Sequence, residues 1–323
     1  MHMNVIEAMG LIKEFGALVA VKDVSFSVEN GQVVGLVGPN GAGKTTLMRM
    51  LATVLEPTEG TARLLGFDIK TDYLKIRKHI GYLPDFFNLY EDLTLEECLE
   101  YFAKAYEVAQ HEIPNRIDAV LRDLDLENKR SSFVKNLSRG MIQRLGLGML
   151  LVHSPDIFIL DEPASGLDPK ARMDLRSIIK RLSQNGKTVI ISSHILTELS
   201  GLCSHIAIMN HGEIVQFGEV EDIEKRIIGA RGLEITVLRD CEGAVELIRK
   251  LDGVQIMQID PDHNTIVVHI DKGPEAIAAL NKHLVENGVE VISLYQETST
   301  LEDIYLKISS KDNPVISKNT TDG

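Results

Sequence analysis

Residues 38–45 read Gly38-Pro39-Asn40-Gly41-Ala42-Gly43-Lys44-Thr45, and with their neighbours they restrict the fold more than any other stretch of the chain. The apolar run Val33-Val34-Gly35-Leu36-Val37 lies immediately before them, and Thr46–Val54 has helical character immediately after. A buried strand, a glycine-rich turn and a helix in that order form one unit of an α/β sheet. The G-x-x-x-x-G-K-[ST] spacing also has a chemical purpose. Gly41 and Gly43 let the backbone curl so that its N–H groups converge on an anion. The helix N-terminus adds the positive end of its dipole. Lys44 is placed to reach the β- and γ-phosphates of a nucleotide, and Thr45 to offer its hydroxyl to Mg²⁺.

A second element is consistent with this site. Ile157-Phe158-Ile159-Leu160 is an apolar strand that ends in Asp161-Glu162. Ligands of open α/β sheets bind at the carboxyl edge of the strands, where these two carboxylates fall. Asp161 is expected to hold Mg²⁺ through water. Glu162 is placed to polarise or deprotonate an attacking water.

Further strands are expected at Thr188–Ser192 and in a hairpin of Ala207–Met209 and Glu213–Phe217 around the turn His211-Gly212. Ile117, Val120, Leu121 and Leu124 recur with helical period, as do Leu175, Ile178, Ile179 and Leu182, and both stripes read as core packing. Between about 85 and 152 there are helical and loop patterns without a strand, which makes this a helical insert. The domain is expected to span residues 1–218. A charged linker helix follows over 219–230, beginning Glu219–Arg226. Residues 231–308 then read strand, helix, strand, turn, strand, helix, strand: Leu233–Val237, Ala244–Leu251, Val254–Ile259, Thr265–Ile270, Ala276–Val285 and Val289–Leu294. That βαββαβ order predicts a small α+β ferredoxin-like domain. Thr300–Ile308 adds a helix, and 309–323 is a polar tail expected to be disordered.

Charge and cysteine usage narrow the function. The chain carries 34 basic and 47 acidic residues, a net −13. Residues 1–218 hold only −4 of this and 219–323 hold −9. An acidic surface of this kind argues against nucleic acid as partner. Cys98, Cys203 and Cys241 lie far apart without CxxC spacing, so they read as small buried hydrophobes in a reducing compartment. The start Met1-His2-Met3-Asn4 has no secretory pattern, and no run of 18 apolar residues occurs.

With the phosphate loop and the acidic pair in place, the sequence resembles the ATP-binding subunits of ABC transporters. Leu137-Ser138-Arg139-Gly140-Met141 stands where that family has its LSGGQ signature, just upstream of the strand ending in Asp161-Glu162. Ala164-Ser165-Gly166-Leu167-Asp168 looks like the D-loop, and Ser192-Ser193-His194 looks like the switch-histidine segment. Phe15 stands where the family places an aromatic that stacks on adenine. The resemblance covers about residues 4–218. It implies a P-loop NTPase core with an antiparallel β subdomain and a helical insert, ATP and Mg²⁺ as cofactors, and two subunits paired head to tail around two ATP molecules. Ser138, a good N-cap for the helix running through Leu151, would meet with Arg139, Gly140 and Asp168 the nucleotide held by the opposite subunit. His194 would assist Glu162 and Lys44 in hydrolysis.

Three residues depart from the family pattern. Arg139 replaces the second signature glycine and brings a cation near the expected phosphate. Met141 replaces glutamine. In Gly81-Tyr82-Leu83-Pro84-Asp85 the usual Q-loop glutamine is Asp85, which can still bind Mg²⁺ or its water but adds negative charge beside ATP.

The resemblance therefore implies an ATPase subunit that drives a separately encoded membrane permease, in the export direction, from the cytoplasmic face of the cell membrane. The helical insert would grip a coupling helix of that permease. The 231–308 domain could be a dimer contact, a regulatory ligand module or a spacer; dimer support is favoured, because the family pairs through the preceding domain. The alternative is a soluble ABC ATPase acting on ribosomes or DNA. Such proteins usually carry two nucleotide units or a long coiled coil, whereas this chain has one P-loop and no sustained heptads. A kinase or GTPase would have no use for the signature-like pentapeptide, and the chain has no NKxD motif.

Overall fold

In a computed structural model of the chain, residues 4–195, 199, 201–220, 222–223, 232–251, 253–270 and 274–296 are described. The chain divides into two units, Met1–Val220 and Glu221–Gly323.

The first unit holds two sheets. Strands β1 (Asn4–Phe15) and β2 (Leu18–Glu29) form an antiparallel hairpin, with Phe15 opposite Leu18. Strand β4 (Glu59–Leu64) pairs with β1, and the two-residue β5 (Phe67–Asp68) pairs with β4, giving the order β2-β1-β4-β5. The second sheet contains β3 (Val33–Val37), β6 (Ile80–Leu83), β7 (Ile157–Leu160), β8 (Thr188–Ser193), β9 (His205–Asn210) and β10 (Glu213–Glu219), in the order β10-β9-β3-β8-β7-β6. All its neighbouring pairs are parallel except the β9–β10 hairpin. Every residue of β3, β7 and β8 is buried. This is why β3 and β7 read as unbroken apolar runs rather than alternating ones, and why Val189–Ile191 form the apolar centre of β8.

Helix α1 (Lys44–Leu51) follows β3, and α2 (Tyr73–His79) precedes β6. The helical insert contains α3 (Leu95–Ala105), α4 (Ile113–Asp123) and α5 (Arg139–Leu151). Thr94 and Glu97 start α3 with a reciprocal capping box: the Thr94 hydroxyl accepts from the Glu97 N–H, and the Glu97 carboxylate accepts from the Thr94 N–H. The stripe Ile117, Val120, Leu121 and Leu124 is buried, and so is the stripe Leu175, Ile178, Ile179 and Leu182 of α6 (Pro169–Gln184).

The second unit runs β11 (Gly232–Val237), α7 (Cys241–Ile248), β12 (Val254–Asp260), β13 (Thr265–Ile270), α8 (Pro274–Glu286) and β14 (Val291–Gln296). The sheet order is β12-β13-β11-β14 with every neighbouring pair antiparallel, which is the ferredoxin-like arrangement. Leu233, Ile235 and Val237 point inward onto Ala244, Ile248, Leu280 and Leu284.

Several boundaries differ from expectation. α1 begins at Lys44 rather than Thr46, because Gly43 supplies the left-handed turn that starts it. α7 begins three residues earlier than the apolar pattern indicated, because the Asp240 side chain accepts from the Gly243 N–H. Glu219 ends strand β10 instead of opening a linker helix; Val220, Asp222 and Ile223 are helical. The rest of that helix, the one at Thr300–Ile308 and the tail 309–323 lie outside the described residues. Among the described residues, no helix is long and apolar enough to cross a membrane.

Candidate functional site

The site lies at the carboxyl ends of β3, β7 and β8. After Val37 the backbone turns through residues 38–43 into α1. Gly43 has φ 103°, and a Cβ at that position would collide with the Ala20 carbonyl oxygen, so glycine is required on both counts. The Lys44 side chain is only 6% exposed. Its Nζ donates to the Gly38 carbonyl at 2.7 Å and the Pro39 carbonyl at 3.3 Å, and lies 3.3 Å from Glu162 Oε1. Thr45 and Thr46 follow on the first turn of α1.

These residues border a cleft of about 650 Å³, a volume that suits a nucleotide-sized ligand. Pro39, Asn40, Gly41, Ala42, Gly43, Lys44, Thr45 and Thr46 line it together with Phe15, Asp85 and Glu162. Phe15 stands at the tip of the β1–β2 hairpin, 49% exposed, with Lys13 Nζ 5.3 Å from its ring centre. Ala17 to Ala20 and His211-Gly212 complete the wall, and no sequence motif marks these as site residues.

The acidic pair sits at the inner end of the cleft. Asp161 is fully buried. One carboxylate oxygen, Oδ1, accepts from the Ser192 hydroxyl at 2.7 Å; the other, Oδ2, is buried and has no hydrogen-bond partner among the described residues. A buried carboxylate with one open oxygen fits a hard cation or its bound water. Among the described residues no group of three His, Cys, Asp or Glu could hold a metal alone, so such a cation must draw its other ligands from hydroxyl, water and phosphate. Glu162 takes φ +48°, a left-handed conformation uncommon outside glycine. Its Oε2 lies 2.8 Å from His194 Nδ1, and its backbone N–H donates to Ser192 Oγ at 2.8 Å.

Asp85 occupies the cleft edge. Burial holds its carboxyl above the usual carboxylate range, the negative charges of Asp161 and Glu162 push it further up, and Arg139 and His194 pull it partly back.

Ser138, Arg139, Gly140 and Asp168 are not among the residues lining the cleft. They meet instead where the N-termini of α5 and α6 approach each other: a Cβ on Gly140 would lie 3.0 Å from that of Ala171. The Ser138 hydroxyl accepts from the Met141 N–H at 3.3 Å and caps α5. Asp168 Oδ1 accepts from the Ala171 N–H at 2.8 Å and caps α6. The Arg139 guanidinium packs over Gly166 of its own chain, where any Cβ would strike it.

A family model described as ABC transporter matches residues 21–165. The bacitracin transport ATP-binding protein of Bacillus licheniformis is 32% identical over 306 residues, covering 94% of this chain and 97% of that relative. The chain belongs to the ABC transporter ATP-binding family. A further relative, the linearmycin resistance ATP-binding protein of Bacillus subtilis, is 29% identical over 306 residues, 95% of this chain and 98% of its own. A solved dimeric ATP-binding cassette in a post-hydrolysis state with ADP and phosphate superposes with a TM-score of 0.61 at 25% identity, covering 67% of this chain and 98% of that one. In this ABC subunit the phosphate loop, Phe15, Asp85 and Glu162 share one cleft, with Asp161 and His194 attached to it. The role of Ser192 was not apparent in sequence. The one available signal is that the buried strand β8 ends in two polar residues, Ser192 and Ser193.

Proposed function

We propose that this subunit hydrolyses ATP to ADP and phosphate, pairs head to tail with a second copy or another ABC subunit, and drives a separate membrane permease. The observation that carries this reading is the position of Glu162. Its two carboxylate oxygens face Lys44 and His194, beside the phosphate loop. A carboxylate held between two such partners is oriented to take a proton from an attacking water. His194 fixes one oxygen, and the other is buried 3.3 Å from Lys44 Nζ, which would release it to the water on turning to the phosphates. Lys44 serves as the cation for the phosphates, and Phe15 offers an apolar face for the base. Thr45 and Asp161, with Asp85 at the cleft edge, would hold Mg²⁺, which would supply charge neutralisation for the phosphate oxygens.

Pairing is supported by the dimeric cassette that shares this fold. In that arrangement Ser138, Arg139, Gly140 and Asp168 face the nucleotide of the opposite subunit, and the second unit supports the pairing. Export is supported by the transport and resistance roles in the names of the two relatives, and it places the subunit at the cytoplasmic face of the cell membrane.

The test is Glu162→Gln. ATP binding is expected to persist while hydrolysis falls by about 10²–10⁴-fold, so that dimers accumulate in ATP on size-exclusion chromatography. Hydrolysis near the wild-type rate would remove Glu162 as the base.

A further inference from the structure

Ser192 is hydrogen-bonded to both members of the acidic pair. Asp161 and Glu162 are adjacent, yet the proposed reaction needs their carboxylates to do different things, one facing a cation and the other a water. The chain separates them with a left-handed residue, Glu162 at φ +48°. Such a conformation is disfavoured for a non-glycine residue, so surrounding contacts must hold it in place.

The Ser165 N–H donates to the Glu162 carbonyl at 3.0 Å, and a serine hydroxyl holds the other side of the turn. Ser192 Oγ accepts the Glu162 N–H at 2.8 Å and donates to Asp161 Oδ1 at 2.7 Å. A serine hydroxyl has one proton to give. Because its oxygen already receives an N–H and the Asp161 carboxylate can only accept, the direction of both bonds is fixed. Asp161 is therefore held by Oδ1, which leaves the buried Oδ2 as its open oxygen. Glu162 is held by its backbone, which leaves both of its carboxylate oxygens for His194 and Lys44.

Position 192 is set by strand register. On β8, Ser192 pairs with Leu36 of β3, and Ile191 pairs with Leu160, the last residue of β7. The next residue on β8 thus stands beside the Asp161–Glu162 turn, with 1% exposure. A cavity of about 190 Å³ lies against Ser192, lined also by Ala164, Leu175, Ile179 and Ile191. There is room there for one more methyl group.

We propose that Ser192 is a positioning residue that sets the orientation of both acidic side chains, directing Asp161 Oδ2 to the cation and the Glu162 carboxylate to the water. The proposal rests on the reading of Glu162 as base and Asp161 as metal-side ligand. Groups that hold a metal-binding carboxylate from behind commonly change metal affinity or activity by about 10–100-fold when removed.

Ser192→Ala and Ser192→Thr are compared in the full chain. For alanine, kcat is expected to fall about 10–100-fold and the Mn²⁺ concentration for half-maximal ATPase to rise about 10-fold, while KM for ATP stays within about threefold. Threonine keeps the hydroxyl, suits a strand and fits the cavity, so it should restore both quantities to near wild type. Ser192→Cys, which puts a weaker donor in the same space, should fall between them and covers the case in which alanine does not fold. A readout without turnover uses Mn²⁺ with ADP, followed by loss of the free-ion spectroscopic signal, in a Glu162→Gln background. Weaker Mn²⁺ retention on adding Ser192→Ala supports the proposal. Unchanged retention overturns it, as does threonine behaving like alanine while folded. If Glu162→Gln itself hydrolyses at the wild-type rate, the base reading fails, and the Mn²⁺ measurement still decides whether Ser192 orients Asp161.

Discussion

Replacing Asp168 by alanine removes one defined contact, the 2.8 Å hydrogen bond from the Ala171 N–H to Asp168 Oδ1 that starts α6. The Ala171 N–H is one of the four donors that a helix leaves unpaired at its N-terminus. Losing an N-cap of this type costs about 1 kcal/mol. Loss of the negative charge at the positive end of the helix adds about 0.3 kcal/mol, the low end of the range, because Asp168 is exposed. The total is about 1.3 kcal/mol. A domain the size of the first unit shifts by about 2–4 °C per kcal/mol, so its melting transition should fall by about 3–5 °C. Asp168→Asn keeps an equally good cap and loses only the charge, which predicts a shift of about 1 °C. Scanning calorimetry of the three full-length proteins in identical buffer measures this directly. If asparagine destabilises as much as alanine, or if alanine shifts the transition by less than about 1 °C, the capping account is wrong. The same proteins separate the cap from a role in pairing, since a loss of ATP-dependent association in the asparagine variant would show that the charge is needed there too.

Two further outcomes follow from shifted titrations. Asp85 ionises above its ordinary 3.8 in the folded chain, so folding favours its protonated form. Relative to Asp85→Asn, wild type should therefore lose stability as pH rises from about 3.8 through the raised value, and the gap should stay constant at higher pH. Melting temperatures of both proteins, taken between about pH 4 and 7 without nucleotide, check this, and a gap independent of pH would refute it. The three thiols should be inert in the native chain at neutral pH, because burial pushes Cys98 up to about 11, Cys203 up to about 12 and Cys241 above its usual value. Thiol titration should detect three groups only after denaturation; rapid labelling of the folded chain would contradict their burial.

What could be read in advance depended on how locally each feature is encoded. The phosphate loop was legible because its glycines answer a local backbone demand and its lysine comes next in the chain. Strands β3 and β7 were legible because strands covered on both faces are apolar at every position, and β8 because Val189–Ile191 form an apolar centre. The long β1–β2 hairpin was not, because register shifts between Ala8 and Leu11 and between Leu11 and Lys13 interrupt its alternation. Asp168 as a cap was within reach: an aspartate followed by proline at the first helical position is a helix-start signal. The Ser192 bridge was out of reach, since its two bonds span 30 and 31 residues and no spacing rule links a strand-end serine to a particular pair of carboxylates.

The packing of Arg139 on Gly166 has an evolutionary consequence. A Cβ at position 166 would meet only the guanidinium end of Arg139, the far end of a flexible side chain that can swing aside. The φ of 65° at Gly166 is the firmer restriction, because it belongs to the backbone. Asparagine and aspartate tolerate that region better than other side chains do. Descendants of this chain that acquire a side chain at 166 should therefore favour these two, with the arginine turned away from its present place.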